Sequence, residues 1–490
     1  MNRPLIRLLS EHRVAAAAFI ITLGIRSIPE IILGPYPVGF DTIAFYAPNT
    51  LDWAMGKVGL LKIIGSAPLI YTISVPIFLL SSVNPILIFK TMGPILYGSL
   101  SYALFRFLRL VPKWSERKAL GTVIFASMYF VTLRIGWDLY RNVLGFTFLL
   151  LAIPMLQELN SGRRVLISIC LLLLAVESDQ FTGLLALSFV ALRLIEGIRN
   201  RNSRELKFLL VVGIPTLLLF GSIVFIGQFV LGTGLVQYQP IVPTLEQLGN
   251  SAGFLGYAFL PLFPLAIYGF KGVRSLEFKV WSAMCFAGVA SGLLPLYGTI
   301  VDSYRWSLLL DIPVCVYAAS GIIRLGERHS VMSVPKSRFF ATMFRVIPIV
   351  LILSSSFYIA LPAQHPMPYY TLFTSFAPTS MLQNSVPQSD MGGLYASLKW
   401  VELEMGPKDA LIAHQAIYGW ARIYLPSNTR IINYGFSNPL QGVLFAKPEG
   451  YISVWTVWWA PGMGWYHQPY LPTGFAEMFQ SGNFGVYKYE

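Results

Sequence analysis

Charge is what this sequence has least of. Only 12% of its 490 residues are Asp, Glu, Lys or Arg, about half the ~25% usual for a soluble chain. Cysteine is scarce as well. Cys170, Cys285 and Cys315 all lie inside apolar runs without metal-ligand spacing, so there is no disulfide framework and each reads as a small core residue. The five histidines are scattered. The sequence has no phosphate-cradling glycine loop with Lys-Ser/Thr, no His-Glu-x-x-His and no Gly-x-Ser-x-Gly. A nucleotide-dependent enzyme of the cytoplasm is therefore disfavoured. Internal repeats and low-complexity segments are missing too.

What is present is apolar. Hydrophobic residues make up 55% of the chain and the mean hydropathy is +0.61. Water cannot solvate that many apolar side chains on a folded surface, so lipid is the solvent for most of the chain. Runs long enough for a spanning helix, ~20 residues with some tolerance, lie near 14–33, 85–105, 119–135, 142–157, 164–176, 181–195, 208–231, 252–270, 280–298, 306–323 and 340–361. The sequence thus predicts a mainly α fold, a polytopic bundle of about eleven spans over residues 1–361. The first run lacks a small-x-small cleavage site before Gly34-Pro35, so it reads as a retained helix and not a signal peptide.

The net charge of +13 does not point to nucleic acid, because the excess sits in short loops between apolar runs. With a cytoplasmic N-terminus, one side collects 22 Lys/Arg. The opposite loops, tail excluded, hold five: Lys57, Lys62, Arg134, Arg141 and Arg305. Basic residues mark the cytoplasmic face, so this asymmetry predicts a multi-pass protein of the cell membrane with residues 362–490 outside. Residues 66–82 are apolar enough to span, but a crossing there would invert every later loop. They read as an interfacial or re-entrant element within a large first outer loop, 34–84. The run 165–195 reads as a hairpin with Glu177-Ser178-Asp179-Gln180 as its outer turn. Its ascending arm is short, which places this turn below the membrane surface, where polar backbone needs a protein-lined or watery cavity. The tail alternates short β-like stretches (410–413, 430–432, 451–454) with turns and a helical stretch near 391–405, predicting a small α/β domain.

Acids gather on the expected outer side: Glu30, Asp41, Asp52, Asp138, Glu177, Asp179, Glu246 and Asp302. Singly, each can be a solvated loop end or a helix cap, and Asp52 and Glu246 read most simply that way. As a set drawn from four outer turns they suggest one shared polar cavity. Asp311, six residues into its helix, either pairs with a cation inside the bundle or marks the cavity wall. An oxygen-only pair such as Asp41 and Asp138 could hold Mg²⁺ or Mn²⁺, or no metal at all. Trp455, Trp458, Trp459, Trp465 and Tyr466 suit sugar stacking, an interfacial aromatic belt or ordinary core packing.

An N-terminal helix, a first-loop Tyr-Pro-Val-Gly-Phe-Asp41, many spans and an α/β tail together resemble the GT-C superfamily of membrane glycosyltransferases. Oligosaccharyltransferases, protein O-mannosyltransferases and aminoarabinose transferases belong to it. The resemblance covers the whole chain in architecture, through short motifs. It implies a polyprenyl- or dolichyl-phosphate-linked sugar as donor, a protein, lipid or glycan acceptor, and transfer on the outer side. It implies Asp41 as base or metal ligand, and Gly136-Trp137-Asp138 as a second-loop acidic motif. Tyr304-Arg305-Trp306 then marks a late helix whose Arg holds the lipid phosphate, with Arg134 and Arg141 as further phosphate contacts. Glu177, Asp179 and Asp302 would be cavity acids. His414-Gln-Ala-Ile-Tyr418-Gly419-Trp420 stands where oligosaccharyltransferases carry Trp-Trp-Asp-Tyr-Gly. It lacks the Trp-Trp-Asp, so the resemblance points outside the oligosaccharyltransferases proper, with Tyr418, Trp420, Trp458 and Trp459 as acceptor or sugar contacts. The chemistry agrees with these assignments. Charge builds on the phosphate as the glycosidic bond breaks and needs a nearby cation, and a carboxylate must take the acceptor proton. The alternatives are a transporter or flippase, which should show repeats and midplane charges, and an inactive scaffold.

Overall fold

The computed structural model describes residues 3–157, 161–230, 236–237, 245–291, 299–300, 303–329, 346, 384–435, 438–446, 451, 453–463 and 471–489. Its helices in chain order are α1 (Arg3–Ile32), α2 (Ala47–Ala54), α3 (Leu60–Gly65), α4 (Leu69–Ser81), α5 (Pro85–Leu110), α6 (Glu116–Met128), α7 (Phe130–Asp138) and α8 (Tyr140–Leu156). They continue as α9 (Gly162–Ser178), α10 (Gln180–Arg199), α11 (Ser203–Phe225), α12 (Leu245–Phe259), α13 (Phe263–Phe270), α14 (Leu276–Ser291), α15 (Ser303–Leu309) and α16 (Asp311–His329). A two-residue antiparallel ladder joins β1 (Val236–Gln237) to β2 (Thr299–Ile300).

Helix starts follow local chemistry. The side chain of Asn84 accepts from the Ile86 amide ahead of α5, with Pro85 in the first turn, where its missing N–H costs nothing. Ser115 caps α6 and Ser161 caps α9 in the same way. Breaks matter more for the site. At Tyr129 the backbone turns extended (ψ 135°) and α6 and α7 bend by 70°. At Asp179 it is extended again, and the Asp179 carboxylate accepts from the Thr182 amide at the start of α10. The acidic turn expected at 177–180 is therefore a one-residue junction between two helices.

Four helices are long and apolar enough to cross a membrane: His12–Ile32, Gln180–Arg199, Ser203–Phe229 and Arg305–Glu327. Two bent pairs, α6 with α7 and α12 with α13, raise that to six among the described residues. The expected count of eleven goes beyond this. α5, α8, α9 and α14 coincide with expected runs, but α8 and α9 are only 17 residues long and α14 only 16, and α5 carries Lys90, Arg106 and Arg109. The run at 340–361 falls outside the described residues. α4 accounts for 66–82 as a helix of 13 residues. At ~1.5 Å per residue it spans about 20 Å, short of a ~30 Å hydrocarbon layer. Apolar side chains left on the surface, such as Leu217, Leu218, Phe225 and Phe229 on the α11 segment, suit a lipid environment.

The tail is an α/β unit. Its helices are α17 (Gln388–Glu404), α18 (Gln415–Tyr424) and α19 (Pro439–Ala446), and its strands β3 (Asp409–Ala413), β4 (Arg430–Asn433), β5 (Ser453–Trp459), β6 (Phe475–Ser481) and β7 (Phe484–Tyr489). The sheet runs β4-β3-β5-β7-β6, with β3 parallel to β4 and β5, and β7 antiparallel to β5 and β6. The three stretches expected from sequence became β3, β4 and β5. The β6–β7 hairpin was not foreseen, although Ser-Gly-Asn at 481–483 is a turn signal. Trp458 and Trp459 on β5 are each 3% exposed, and Trp459 Nε1 donates to Asp390 Oδ2 at 3.0 Å.

Candidate functional site

The site begins with a glycine. A Cβ at Gly39 would collide with Asp138 Oδ1 and the Trp137 carbonyl, so only glycine lets the first loop press against the end of α7. That approach places the Asp41 amide 3.0 Å from Asp138 Oδ1, to which it donates. The other Asp138 oxygen lies 2.6 Å from Arg134 Nη1, and both residues are buried, Asp138 at 0% and Arg134 at 4% exposure. Asp138 and Arg134 thus sit behind Asp41 as a buried ion pair that holds its backbone.

A second buried network braces the same loop. Arg26 on α1 pairs with Glu30 at 2.7 Å, and Lys90 on α5 reaches Glu30 Oε2 at 2.8 Å and donates to the Tyr36 carbonyl at 2.6 Å. Arg26 also donates to the Gly136 carbonyl at 3.1 Å and to the Tyr140 hydroxyl at 3.3 Å, and that hydroxyl accepts from Thr42 beside Asp41. Charges at this depth are tolerated only when mutually paired. Glu30, read from sequence as an outer-side acid, is one of these internal partners.

In front of Asp41 opens a cavity of about 460 Å³. Asp41, Asp179, Arg141 and Arg305 line it, and so do Asn49, Asp52, Lys62, Asn142, Tyr418 and Arg422. Arg141 is held by two carbonyls, donating through Nε to Ser178 at 3.1 Å and through Nη2 to Ser66. Asp179 accepts from Asn142 at 2.7 Å as well as from Thr182. Arg305 lies over the Phe181 ring, 5.7 Å from its centroid. The cavity therefore presents Asp41 together with the guanidiniums of Arg141 and Arg305.

The tail closes one side. A Cβ at Gly419 would strike the Ile43 carbonyl, so α18 docks directly on the turn that follows Asp41. Arg422 pairs with Asp52, donates to Asn49 Oδ1 at 3.3 Å and lies over the Tyr418 ring. Asn384 donates to the Pro37 carbonyl at 3.2 Å and Lys57 to that of Ser427 at 3.3 Å. Asp52 is thus no solvated loop acid. It is half-buried at the cavity wall, fixed by a residue 370 positions away. His414 caps α18, its Nδ1 accepting from the Ala416 amide at 3.2 Å, and burial lowers its pKa to about 4.

Other expected residues fall elsewhere. Trp420 is fully buried against Tyr36, and Trp458 and Trp459 belong to the tail core. Of the four aromatic residues expected to contact substrate, only Tyr418 lines the cavity. Glu177 is half-buried and not among the lining residues. Asp302 lies outside the described residues. Asp311 is fully buried and accepts from the Thr132 hydroxyl and the Cys315 thiol. Among the described residues no Lys or Arg forms an ion pair with it. The Asp41/Asp138 pair does not fit a divalent cation, because both Asp138 oxygens are engaged away from the cavity. Among the described residues no three His, Cys, Asp or Glu converge on a metal-sized site.

Sequence alone missed Asn49, Asn142, Arg422 and the Arg26–Glu30–Lys90 network. The network did leave a signal, since ionisable residues inside apolar runs demand partners. No family model matches this sequence, and no curated protein matches it. Among solved structures, the chain is similar to an oligosaccharyltransferase from Archaeoglobus fulgidus, solved with zinc and sulfate. Identity is 11% and the TM-score 0.46, over 90% of this chain and 67% of that one. That level of likeness does not bear on chemistry.

Proposed function

We propose that this protein is a membrane glycosyltransferase that moves a sugar from a polyprenyl-phosphate donor to an acceptor on the outer side of the membrane. One observation carries the reading: a single cavity brings a carboxylate, Asp41, together with two guanidiniums, Arg141 and Arg305, on a bundle of membrane-length helices. In this reading Arg305, with Arg141, meets the donor phosphate. An acceptor oxygen or nitrogen attacks the anomeric carbon, the bond from that carbon to the phosphate oxygen breaks with its electrons, and Asp41 takes the acceptor proton. Charge growing on the phosphate is stabilised by cations already fixed in place, which need no rearrangement as the bond breaks. Arg141 is prepositioned by its two carbonyl partners. Asp138 and Arg134 act through Asp41 by holding its amide.

Magnesium or manganese across Asp41 and Asp138 has no part in this reading, and no step is routed through a metal. Tyr418 and Arg422 bring the tail to the rim, where an acceptor must arrive. The side assignment rests on the loop charges and on the tail's direct docking against the first loop.

The test compares Asp41→Asn with Glu404→Gln, an exposed tail residue, in cells lacking the native protein. Loss of general-base assistance costs about 10²- to 10⁴-fold. The Asn variant should accumulate lipid-linked sugar and truncate surface glycans, while the Gln variant behaves as wild type. Identical lipid-linked sugars and glycans with and without the protein would refute the assignment.

A further inference from the structure

A second cavity, of about 490 Å³, opens between the start of α6 and the end of α16, toward the far end of the Arg305–Glu327 span whose first residue lines the first cavity. From Arg305 to Ile322 the chain advances 17 residues, about 25 Å at ~1.5 Å per residue, so the two cavities are separated by most of a bilayer's thickness. One wall is apolar: Phe125, Ile322 and Ile323. Phe125 is 7% exposed and the two isoleucines are half-buried. The mouth carries Arg117 and Lys118, with Glu327 on the opposite side. Lys118 Nζ lies 4.6 Å from the centre of the Trp114 ring, which holds the ammonium at the mouth.

We propose that this cavity binds the phosphodiester headgroup of an anionic membrane phospholipid, with one acyl chain lying along Phe125, Ile322 and Ile323. Charge and shape agree on that occupant. Two cations against one carboxylate favour an anion, and the apolar wall beneath them favours a ligand with a hydrocarbon tail. The topology expected from loop charge also puts the basic loops on this side, where anionic lipid is attracted. A lipid seated there bridges α6, which leads through α7 to Asp138, and α16, which follows Arg305.

Native mass spectrometry of the detergent-purified full chain tests this with phosphatidylglycerol, phosphatidylcholine and inorganic phosphate as probes. The expected result is a phosphatidylglycerol adduct favoured over phosphatidylcholine and not displaced by millimolar inorganic phosphate. Replacing Arg117 and Lys118 together by Gln should weaken it about 30-fold, equivalent to ~1 kcal/mol per removed charge. Gly121→Trp is an independent check, because Gly121 lines this cavity and a Cβ there meets nothing within 4 Å. It should fill the space and remove the adduct without altering charge. Equal adducts from both lipids, displacement by phosphate, or unchanged phosphatidylglycerol binding in both variants would overturn the proposal.

Discussion

Asp138 offers the sharpest test of how the site is built. Its carboxylate contacts Arg134 Nη1 at 2.6 Å and accepts the Asp41 amide at 3.0 Å, with neither charged side chain more than 4% exposed. Asp138→Asn keeps an oxygen for the amide but leaves the Arg134 guanidinium buried without its counter-charge. Breaking a buried pair from one side costs about 3–5 kcal/mol, so the single variant should show a clearly lowered thermal midpoint and a reduced folded yield. Arg134→Gln strands the carboxylate in the same way. Removing both charges is different, since a neutral pair of similar volume is often tolerated. The double variant Arg134→Gln/Asp138→Asn should therefore recover most of the midpoint, so that its cost falls well below the sum of the two single costs. If Asp138 only positions Asp41, the double variant should also recover most of the turnover of lipid-linked sugar. The assay pairs fluorescence-detected thermal unfolding in detergent with donor consumption in membranes. A double variant that folds as well as wild type but stays as inactive as Asp41→Asn would refute the reasoning and make Asp138 a direct participant.

Three further outcomes are expected. Arg305→Ala should lose most donor affinity and turnover while Arg305→Lys keeps part of both, because Lys preserves the charge but not the planar fork; equal behaviour of the two in a donor-titration assay would remove Arg305 from the phosphate site. In a double-mutant cycle of Asp52→Ala and Arg422→Ala, tail docking measured by limited proteolysis between residues 384 and 435 should be non-additive, and additive effects would show that the pair does not couple tail to loop. Since burial holds His414 near a pKa of about 4, below its ordinary ~6.5, the unfolded chain takes up the proton first. Its contribution to stability should be complete above pH 6.5 and lost as pH falls from 6.5 to 4. His414→Asn, which keeps a cap acceptor, should flatten the pH dependence of the thermal midpoint in that window, and an unchanged slope would exclude His414 as its source.

Much of this protein is decided by composition alone. A chain 55% hydrophobic and 12% charged must put helices in lipid, and the helices formed where the apolar runs lay, from α1 to α16. Asp41, Arg141, Arg305 and Asp179 could be singled out because ionisable residues at the ends of apolar runs are few. The tail's first three strands were legible from β-branched and aromatic stretches between turn residues. What periodicity and composition could not supply was partnership. Asp52 reads as a loop acid until Arg422, 370 residues later, packs against it. Asp138 reads as a catalytic twin of Asp41 until the first loop arrives alongside and gives its Oδ1 the Asp41 amide to accept, while Oδ2 meets Arg134 one turn back on the same helix. Trp420, Trp458 and Trp459 read as sugar platforms until the sheet and α18 bury them. In each case side-chain chemistry is written locally, whereas burial and pairing depend on which distant backbone arrives alongside. Gly39 and Gly419 admit such an approach because they carry no Cβ, and that absence becomes informative only once the facing carbonyls of Trp137 and Ile43 are in place.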